Sequence, residues 1–189
     1  MGKDKVDISI VTTKTGDAGV TETYERCKLP KDSLQVAVVG EMDILSAHLG
    51  LAKVVTRIQF TEIETIQLKL QHLNSLIMTD PKMDMYAPTI MPTNENYLRL
   101  TPITQADVDQ LESWEAVALT VVEIKPEFVL PGHKGSVNAH FHLARTQCRR
   151  AERYLWRLIT AEARLDLKLG AQYINRLSDL LFLYAEWGR

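Results

Sequence analysis

Five segments of the chain carry apolar residues at intervals of three and four, with polar residues between them. Their predicted limits are residues 33–57, 61–77, 104–121, 136–160 and 170–187, and none contains an internal proline. This spacing places the apolar side chains on one face of an α-helix. The pattern therefore predicts an all-α fold. Residue types that cap helix N-termini stand at four of the predicted starts: Ser33, Thr61 with Glu64, Thr104 with Asp107, and Ser136.

The connections between these segments differ in composition. Residues 80–102 contain four prolines and several methionines, which predicts a long surface excursion. Residues 127–135 include Pro131-Gly132 and predict a turn, whereas residues 8–31 contain glycines and lack a helical pattern, with a strand signal at 8–12. We predict one domain, residues 1–189, in which an ordered N-terminal arm (1–32) precedes a five-helix bundle (33–189).

Composition narrows the classes of function. Lys and Arg total 22 against 24 for Asp and Glu, a formal charge of −2, which argues against a general binder of nucleic acid or anionic membranes. No segment approaches the roughly 18 uninterrupted apolar residues of a membrane helix. Cys27 and Cys148 alone make neither a disulfide framework nor a zinc site. The N-terminus has no apolar signal core, so we expect a cytoplasmic protein, or a mitochondrial matrix protein if a presequence has been removed.

The fourth predicted helix carries a concentration of arginines. Residues 145–153 contain four arginines and one glutamate. At about 100° per residue, Arg145, Arg149 and Glu152 share one stripe with Arg153 beside it, whereas Arg150 points elsewhere. Guanidinium groups bind multiply charged oxyanions through a rigid fork of donors. The row therefore favours a polyphosphate site. The alternative is a solvated face with weak i,i+3 pairs such as Glu152 with Arg149.

Residues 13–21 form a second candidate site. They contain two glycines, three hydroxyl side chains and a lysine. Glycine lets the backbone approach a ligand closely, and hydroxyl and N–H groups bind phosphate oxygens. The P-loop pattern is absent, and a plain turn is the alternative. Lys31, which follows a proline, is either a further phosphate contact or an ordinary surface lysine.

Three further groups stand out along the chain. Asn175 and Asp179 lie one turn apart in the last predicted helix, where they form either a ligand site or a hydrogen-bond network that bridges helices. Glu41 and Asp43 in the first helix are candidates to pair with arginines of another helix or another subunit. Phe128 precedes the Pro-Gly turn, and a hydrophobic residue there usually belongs to the core.

Taken in this order, the motifs resemble those of the trimeric ATP:cob(I)alamin adenosyltransferases of the PduO type. The resemblance spans nearly the whole chain, and its two C-terminal motifs are highly specific. The matching motifs are Thr13-Lys-Thr-Gly-Asp17 with Gly19 and Thr21, Gly40-Glu-Met-Asp43 with Gly50, Phe128-Val-Leu-Pro-Gly132, Ala144-Arg145, Arg149-Arg-Ala-Glu-Arg153, and Asn175-Arg-Leu-Ser-Asp179 with Phe182.

The resemblance implies a fold, an assembly and a set of site residues. It implies a five-helix bundle that forms a homotrimer, with active sites between adjacent subunits. The ATP-binding residues would be Thr13, Lys14, Thr15, Gly16, Thr21, Lys31, Arg149, Arg150, Glu152, Arg153 and Asn175. The catalytic residues would be Arg149, Arg145, Glu152 and Asp179. Phe128 and Phe182 would contact the corrinoid, and Asp43 with Arg149 would form an intersubunit ion pair.

The chemistry that the resemblance implies is alkylation at cobalt. Co(I) of the corrinoid attacks C5′ of ATP and expels triphosphate, which the arginines and Mg²⁺ would neutralise. The partners would be ATP, the corrinoid, a corrinoid reductase and an adenosylcobalamin-dependent enzyme. One alternative is a weakly active or inactive homologue that binds a corrinoid or ATP as a carrier or sensor. Another is a structural bundle whose arginines make only subunit contacts.

The chain departs from the family pattern at several positions outside the arginine and asparagine motifs. Ala18 and Glu22 replace the residues usual in the N-terminal motif. His133 and Lys134 follow the Pro-Gly turn, where glycine and small residues are usual. Glu186 stands near the end, where the family often has arginine.

Overall fold

We describe the protein from a computed structural model in residues 8–23, 27–56, 60–81 and 94–187. The α-helices are α1 (Leu34–Val55), α2 (Glu62–Ile77), α3 (Glu95–Leu98), α4 (Gln105–Leu119), α5 (Ser136–Ala161) and α6 (Lys168–Trp187). Two 3-10 helices (Ile8–Ile10 and Leu165–Leu167) and two strands, β1 (Val20–Glu22) and β2 (Lys28–Pro30), complete the described elements. The predicted all-α fold with five long helices is confirmed.

The five long helices pack against one another in the order α2, α1, α5, α6, α4. The small buried residues Ala144, Cys148 and Ala151 form the core stripe of α5. Small side chains let α6 approach closely, and the Cys148 thiol reaches the Ile174 carbonyl oxygen at 3.2 Å. At one end of this contact, Phe60 stacks on Tyr184 with ring centroids 4.2 Å apart. The end of α6 is therefore anchored in the core.

Two of the predicted N-terminal caps are confirmed. Ser33 accepts a hydrogen bond from the Val36 N–H at 3.4 Å. The backbone N–H and the hydroxyl of Thr104 both donate to Asp107 Oδ2, at 2.8 and 2.9 Å. Asp107 also pairs with Lys69 of α2 at 2.7 Å. The start of α4 is thus fixed both locally and through α2.

At the other two predicted starts the capping bonds are wrong, although Thr61 does stand at the N-cap position of α2. Thr61 has helical backbone angles and makes no capping hydrogen bond through its side chain, and Glu64 pairs instead with Lys53 of α1. Gly135, not Ser136, is the cap of α5. Its φ of 93° belongs to a region that favours glycine, and it lets the chain enter the helix directly from the preceding turn.

The segment before α4 was predicted as a surface excursion, and most of residues 94–102 are exposed, but the segment is also tied to the core. Tyr97 of α3 is buried, and its hydroxyl donates to Asp166 Oδ2 at 2.7 Å. Arg164, only 5% exposed, donates to Asp166 and to the carbonyls of Leu76 and Ile77 at 2.7 and 3.3 Å. These carbonyls end α2, so a buried arginine caps that helix. Residues 82–93 lie outside the described part of the chain.

The N-terminal arm contains a short antiparallel hairpin. β1 pairs with β2, and Val20 lies opposite Pro30. The strand signal at residues 8–12 is wrong, because Ile8–Ile10 forms a 3-10 helix and its side chains are exposed instead of facing a neighbouring strand. Residues 1–7 and 24–26 of the predicted arm, and the predicted end of the first helix at Arg57, lie outside the described residues.

Among the described helices, α1 alone is long and apolar enough by composition to cross a membrane. Its packing shows a core helix, because Met42, Leu45 and other residues of one face are buried against α2 and α5. The remaining surface of α1 carries exposed Ile44, Leu51 and Val54. Exposed apolar side chains grouped on one helix are typical of a surface that another chain covers.

Candidate active site

The arginine row lies on α5, and two of its guanidinium groups keep free donors in the described structure. Arg149 and Arg153 are exposed and one turn apart. In the described part of the chain, the Arg149 side chain makes no hydrogen bond or ion pair, and Arg153 donates only to the Arg149 carbonyl, at 3.0 Å. Their remaining donors are free for a ligand. Two adjacent guanidinium forks suit the several oxygens of a polyphosphate.

Arg145 is held differently from the other two. Its Nε donates to His142 Nδ1 at 3.3 Å, and the opposite ring nitrogen of His142 lies 3.3 Å from Glu186 Oε1. Burial, and then the charge of Arg145, lower the pKa of His142. The neutral ring can accept from Arg145 and donate to Glu186. Arg145 is therefore linked to the end of α6, and its catalytic assignment stays a prediction.

Glu152 bridges α5 and α6 instead of pairing along its own helix. The Asn175 side-chain amide donates to Glu152 Oε1 at 3.1 Å. Asn175 Oδ1 in turn accepts from Arg176 Nη1 at 3.0 Å, and Arg176 Nε donates to Glu112 of α4 at 2.8 Å. Asn175 thus belongs to a network that bridges helices, one of the two options that the sequence left open, whereas Asp179 makes no hydrogen bond within the described residues. The i,i+3 pair of Glu152 with Arg149, which the alternative of a solvated face included, is absent from the ion pairs of the described residues.

Arg150 points away from the row, as its helical position predicts. Its Nη2 lies 2.9 Å from Glu41 Oε1 of α1, and its guanidinium carbon lies 5.7 Å from the centre of the Tyr154 ring. Gln147 donates to Glu41 Oε2 at 2.7 Å. Glu41 is thus paired with an arginine of another helix in the same chain, one of the two options that the sequence left open. The assignment of Arg150 to ATP stays a prediction.

The hairpin of the arm brings Gly16 and Lys31 together. The Lys31 backbone N–H donates to the Gly19 carbonyl at 2.9 Å. A Cβ added to Gly16 would lie 2.8 Å from Lys31 Nζ, so the ammonium group occupies the space that a side chain would fill. Thr13 and Thr15 are linked through their hydroxyls at 3.0 Å. Most of the predicted nucleotide contacts of the arm therefore lie in the hairpin or in the residues directly beside it. These contacts are Thr13, Thr15, Gly16, Thr21 and Lys31.

Within the described residues of one chain, no hydrogen bond or ion pair joins this predicted set to the arginine row. Lys14, the remaining predicted contact, has a φ of 59° and an exposed side chain. Asp43 and Arg149 are likewise unpaired with each other in the described ion pairs, and Asp43 Oδ1 accepts from Asn74 at 2.9 Å. The intersubunit pair of Asp43 with Arg149 stays a prediction.

The two predicted corrinoid-binding aromatics lie near one cavity. Phe128 is fully exposed at 105%, so the expectation of a core residue from its sequence context is wrong. Phe182 of α6 is half-buried and lines a cavity of about 270 Å³ whose other walls come from residues 123–134 and Glu186. Glu127 and Val129, the neighbours of Phe128 in the chain, belong to this lining. An apolar ring presented to solvent beside a cavity suits a large flat ligand.

Asp179, the last of the predicted catalytic residues, is exposed on α6 one turn after Asn175. Its charge acts on Glu115 of α4. Burial and then the Asp179 charge raise the pKa of Glu115 to about 7. Glu115 Oε1 is buried without a hydrogen-bond partner in the described structure. The α4–α6 contact therefore holds a carboxyl that is easily protonated beside the network of Asn175 and Arg176.

The family comparison agrees with this arrangement. Residues 11–187 match the family model described as cobalamin adenosyltransferase. The chain is 34% identical over 179 residues to a cobalamin adenosyltransferase of Cupriavidus metallidurans, covering 94% of this chain and 87% of that protein. It is 33% identical over 180 residues to a corrinoid adenosyltransferase of Mycobacterium leprae, with coverage of 94% and 90%. The chain belongs to the cobalamin adenosyltransferase family.

Solved structures of the family share this fold. A variant of the PduO-type ATP:corrinoid adenosyltransferase of Lactobacillus reuteri, solved in complex with cobalamin and ATP, superposes with a TM-score of 0.75 at 27% identity. The match covers 94% of this chain and 92% of that one. A second variant of the same enzyme, complexed with ATP, also gives a TM-score of 0.75. The PduO-type resemblance inferred from the motifs is confirmed.

Sequence reasoning missed several residues of this cobalamin adenosyltransferase that the structure places at the site. Glu186 and Lys134 form an ion pair at 2.8 Å beside the cavity of Phe182. Asn138, fully buried, links the turn before α5 to the end of α6. The available signal was the combination of His133-Lys134 with Glu186, all departures from the family pattern. Their pairing depends on a contact between residues about 50 positions apart, which spacing along the chain does not reveal.

Proposed function

We propose that this protein transfers the 5′-deoxyadenosyl group of ATP to Co(I) of a corrinoid, which forms adenosylcobalamin and releases triphosphate. One observation carries the proposal beyond family membership. Within the described residues, Arg149 and Arg153 keep guanidinium donors free on α5, and Glu152 beside them is already bonded to Asn175. The chain is slightly acidic overall, so this local basic row is a built feature and not part of a general positive surface.

The reaction needs positioning and charge stabilisation more than acid–base chemistry. The electron pair of Co(I) forms the bond to C5′, and the electrons of the broken C5′–O bond leave with the triphosphate oxygen. Co(I) is itself the nucleophile, so the protein need not supply a base. Negative charge grows on the leaving triphosphate, where the free donors of Arg149 and Arg153 would stabilise it. Glu152 and Asn175 would hold the neighbouring part of the nucleotide.

Mg²⁺ would accompany the triphosphate. The described residues contain no group of three or more His, Cys, Asp or Glu side chains able to hold a metal ion. Mg²⁺ commonly binds through substrate phosphates with one or two carboxylates, which such a site permits. Glu152 is the carboxylate that stands within the row, and the ion would supply further neutralisation of the phosphate charge.

We infer that the working unit is a homotrimer in which the arm of one subunit reaches the row of another. The arm and the row each carry predicted ATP contacts, yet the described residues of one chain show no hydrogen bond or ion pair between them. Among the described residues, neither Asp43 nor Arg149 forms an ion pair, and Asp43 accepts a hydrogen bond from Asn74. The exposed apolar residues of α1 supply a surface for a neighbour. These observations support a site completed by a second subunit.

The exposed Phe128 and the half-buried Phe182 would contact the corrinoid. Phe128 would press on the lower face and displace the lower axial ligand, which makes Co(II) easier to reduce. A corrinoid reductase would then supply Co(I), and an adenosylcobalamin-dependent enzyme would receive the product. The exposure of Phe128 supports this role, because an aromatic side chain that serves only the core would be buried.

The test is direct assay of both products. Protein mixed with ATP, Mg²⁺ and chemically reduced cobalamin should form a cobalt–carbon bond, seen in the visible spectrum, and release triphosphate. Arg149→Ala should lower kcat/KM roughly ten- to hundredfold, since each hydrogen bond to a charged group contributes about 1.5–3 kcal/mol. Arg99→Ala, which removes an exposed arginine of a surface pair with Glu95, is the matched control. Absence of both products from the wild type would refute the proposal.

A further inference from the structure

The loop that carries Phe128 is exposed, yet its far end is tightly held. Residues 123–136 are exposed except for Val129. The turn that follows Leu130 is closed by hydrogen bonds from the His133 N–H to the Leu130 carbonyl at 3.1 Å and from the Gly135 N–H to the Gly132 carbonyl at 2.9 Å. A loop this exposed needs further contacts to keep one position. Those contacts converge on the last turn of α6.

The first of these contacts runs through Asn138, which is fully buried. Its Oδ1 accepts from the Gly132 N–H at 2.7 Å. Its Nδ2 donates to the Ala185 carbonyl at 2.9 Å and to Glu186 Oε1 at 3.1 Å. A single side-chain amide therefore ties the Pro-Gly turn to the end of α6. Buried polar groups with every atom engaged define one geometry.

The second contact is the ion pair of Lys134 with Glu186. Lys134 Nζ lies 2.8 Å from Glu186 Oε2 and 2.8 Å from the Glu186 carbonyl oxygen. The Glu186 side chain is only 7% exposed. Burial alone would raise the pKa of Glu186, but Lys134, Asn138 and His133 more than offset it and the pKa is lowered. The carboxylate stays ionised, and His142 and Arg145 continue the same chain of contacts into α5.

The pair stands between two cavities. Phe182 and Val129 line the cavity of about 270 Å³, and Trp187 lines a neighbouring one of about 590 Å³. Lys134 and Glu186 line both, as do Glu123 and Lys125. A shift of the pair would therefore change the position of the loop that walls off the Phe182 cavity. The pair is therefore placed to influence the loop that carries Phe128 and the cavity that Phe182 lines.

We propose that Lys134 and Glu186, with Asn138, form a positioning clamp that fixes the Phe128 loop against α6 and so sets the affinity for the corrinoid. The proposal rests on the corrinoid-binding part of the proposed function. Lys134 and Glu186 act through the loop and are positioning residues, not catalytic ones. Loosening the clamp at Lys134 should weaken corrinoid binding and leave ATP binding unchanged, because the described contacts of Lys134 run to Glu186 and not to the arginine row or the arm. Glu186 also reaches Arg145 of the row through His142, so the comparison with ATP is made at Lys134.

The experiment compares Lys134→Met and Glu186→Gln with the wild type. We expect the KM for reduced cobalamin to rise roughly three- to tenfold, the range that corresponds to losing one net hydrogen bond. In Lys134→Met the KM for ATP should stay within twofold. Lys134→Arg keeps a cation in reach of the carboxylate and should restore much of the loss. A higher KM for cobalamin with an unchanged KM for ATP is a result that a general loss of stability would not produce.

Lys125→Met is the charge-matched comparison. Lys125 lines the same two cavities and, in the described part of the chain, makes no ion pair. If its substitution raises the corrinoid KM as much as Lys134→Met does, the effect comes from charge on the cavity wall and the clamp is refuted. A corrinoid KM unchanged in both Lys134→Met and Glu186→Gln also overturns it.

Two measurements separate this inference from the proposed function. Amide hydrogen exchange of the ligand-free protein should be faster at Gly132 and Gly135 in Lys134→Met, and equal rates would overturn the clamp. Titration with cob(II)alamin, followed by its visible spectrum, gives a Kd without turnover. A wild type that binds cob(II)alamin but makes no product refutes adenosyl transfer, and a weaker Kd in the variants still supports the clamp.

Discussion

The Asn175 side-chain nitrogen donates a hydrogen bond to Glu152 Oε1 at 3.1 Å across the α5–α6 contact. The other end of the same amide is also engaged, because Asn175 Oδ1 accepts from Arg176 at 3.0 Å. This fixes the orientation of the amide, and the carboxylate that faces the arginine row is held in place. Arg176 is anchored by Glu112 of α4. Three helices therefore set the geometry of one side chain at the proposed nucleotide site.

Loss of the anchor should affect ATP more than the corrinoid. In Arg176→Met, Asn175 loses its fixed orientation, and we expect the KM for ATP to rise roughly three- to tenfold, as for loss of a hydrogen bond of about 1 kcal/mol. Glu112→Gln should give a smaller change in the same direction, because it removes only the anchor. Initial rates at saturating cobalamin measure this. If the KM for ATP in Arg176→Met equals that of the wild type, Arg176 does not act on ATP binding through Asn175.

The contact between Gly16 and Lys31 predicts a coupled pair of variants. In Gly16→Ala the new methyl group displaces the Lys31 ammonium, which is the mobile end of its side chain, so stability should change little. If that ammonium binds ATP, Gly16→Ala and Lys31→Met should each raise the KM for ATP roughly tenfold, since a charged hydrogen bond is lost. The double variant should add little further. Fully additive effects would show that the two positions act separately.

Arg164 should govern stability and not activity. Its side chain is 6% exposed and is shared between Asp166 and the last carbonyls of α2. Arg164→Met removes the guanidinium from Asp166 and from the last carbonyls of α2. Because Asp166 is only partly covered, we expect a cost of about 3 kcal/mol, the lower end of the range for a buried ion pair that loses one partner. Urea denaturation should show a free energy of unfolding lowered by about that amount, seen as a lower midpoint with an unchanged slope. Retention of wild-type stability would mean that water replaces the guanidinium.

Glu115 predicts a specific dependence of stability on pH. Burial and the Asp179 charge raise its pKa from 4.5 to about 7, so the folded state holds a proton that the unfolded state releases earlier. The stability from this proton is complete below about pH 4.5 and is lost as pH rises through 7. The side chain of Glu115→Gln does not ionise, so this variant should keep its stability as the pH rises. Its Tm should therefore rise above that of the wild type between pH 5 and pH 8.

We expect a gain of roughly 2–4 °C at pH 8, the shift that about 1 kcal/mol produces in a domain of this size, and none at pH 4.5. This figure is well below the full pKa shift because water partly screens a half-buried carboxyl. Asp109→Asn, an exposed acid of the same helix, is the control and should show no such pH dependence. An equal gain at both pH values would assign the effect to packing and not to ionisation.

Local patterns in the sequence determined the helices and the arginine row. The limits of the long helices, the cap at Thr104 and the opposite directions of Arg149 and Arg150 follow from a repeat of 3.6 residues and from side chains that bond to their own backbone. These features need only near neighbours in the chain. Prediction was wrong where a distant residue intervened, as when Lys53 engaged Glu64 in place of the expected cap.

Tertiary structure decided which of these groups meet. Glu41 holds Arg150, Glu186 holds Lys134, and Tyr97 is buried against Asp166, each through a contact between distant parts of the chain. Only the packing order of the helices brings such partners within 3 Å, and no periodicity in the sequence encodes that order. The exposure of Phe128 is decided in the same way, because a hydrophobic residue is buried only where the fold supplies neighbours to cover it.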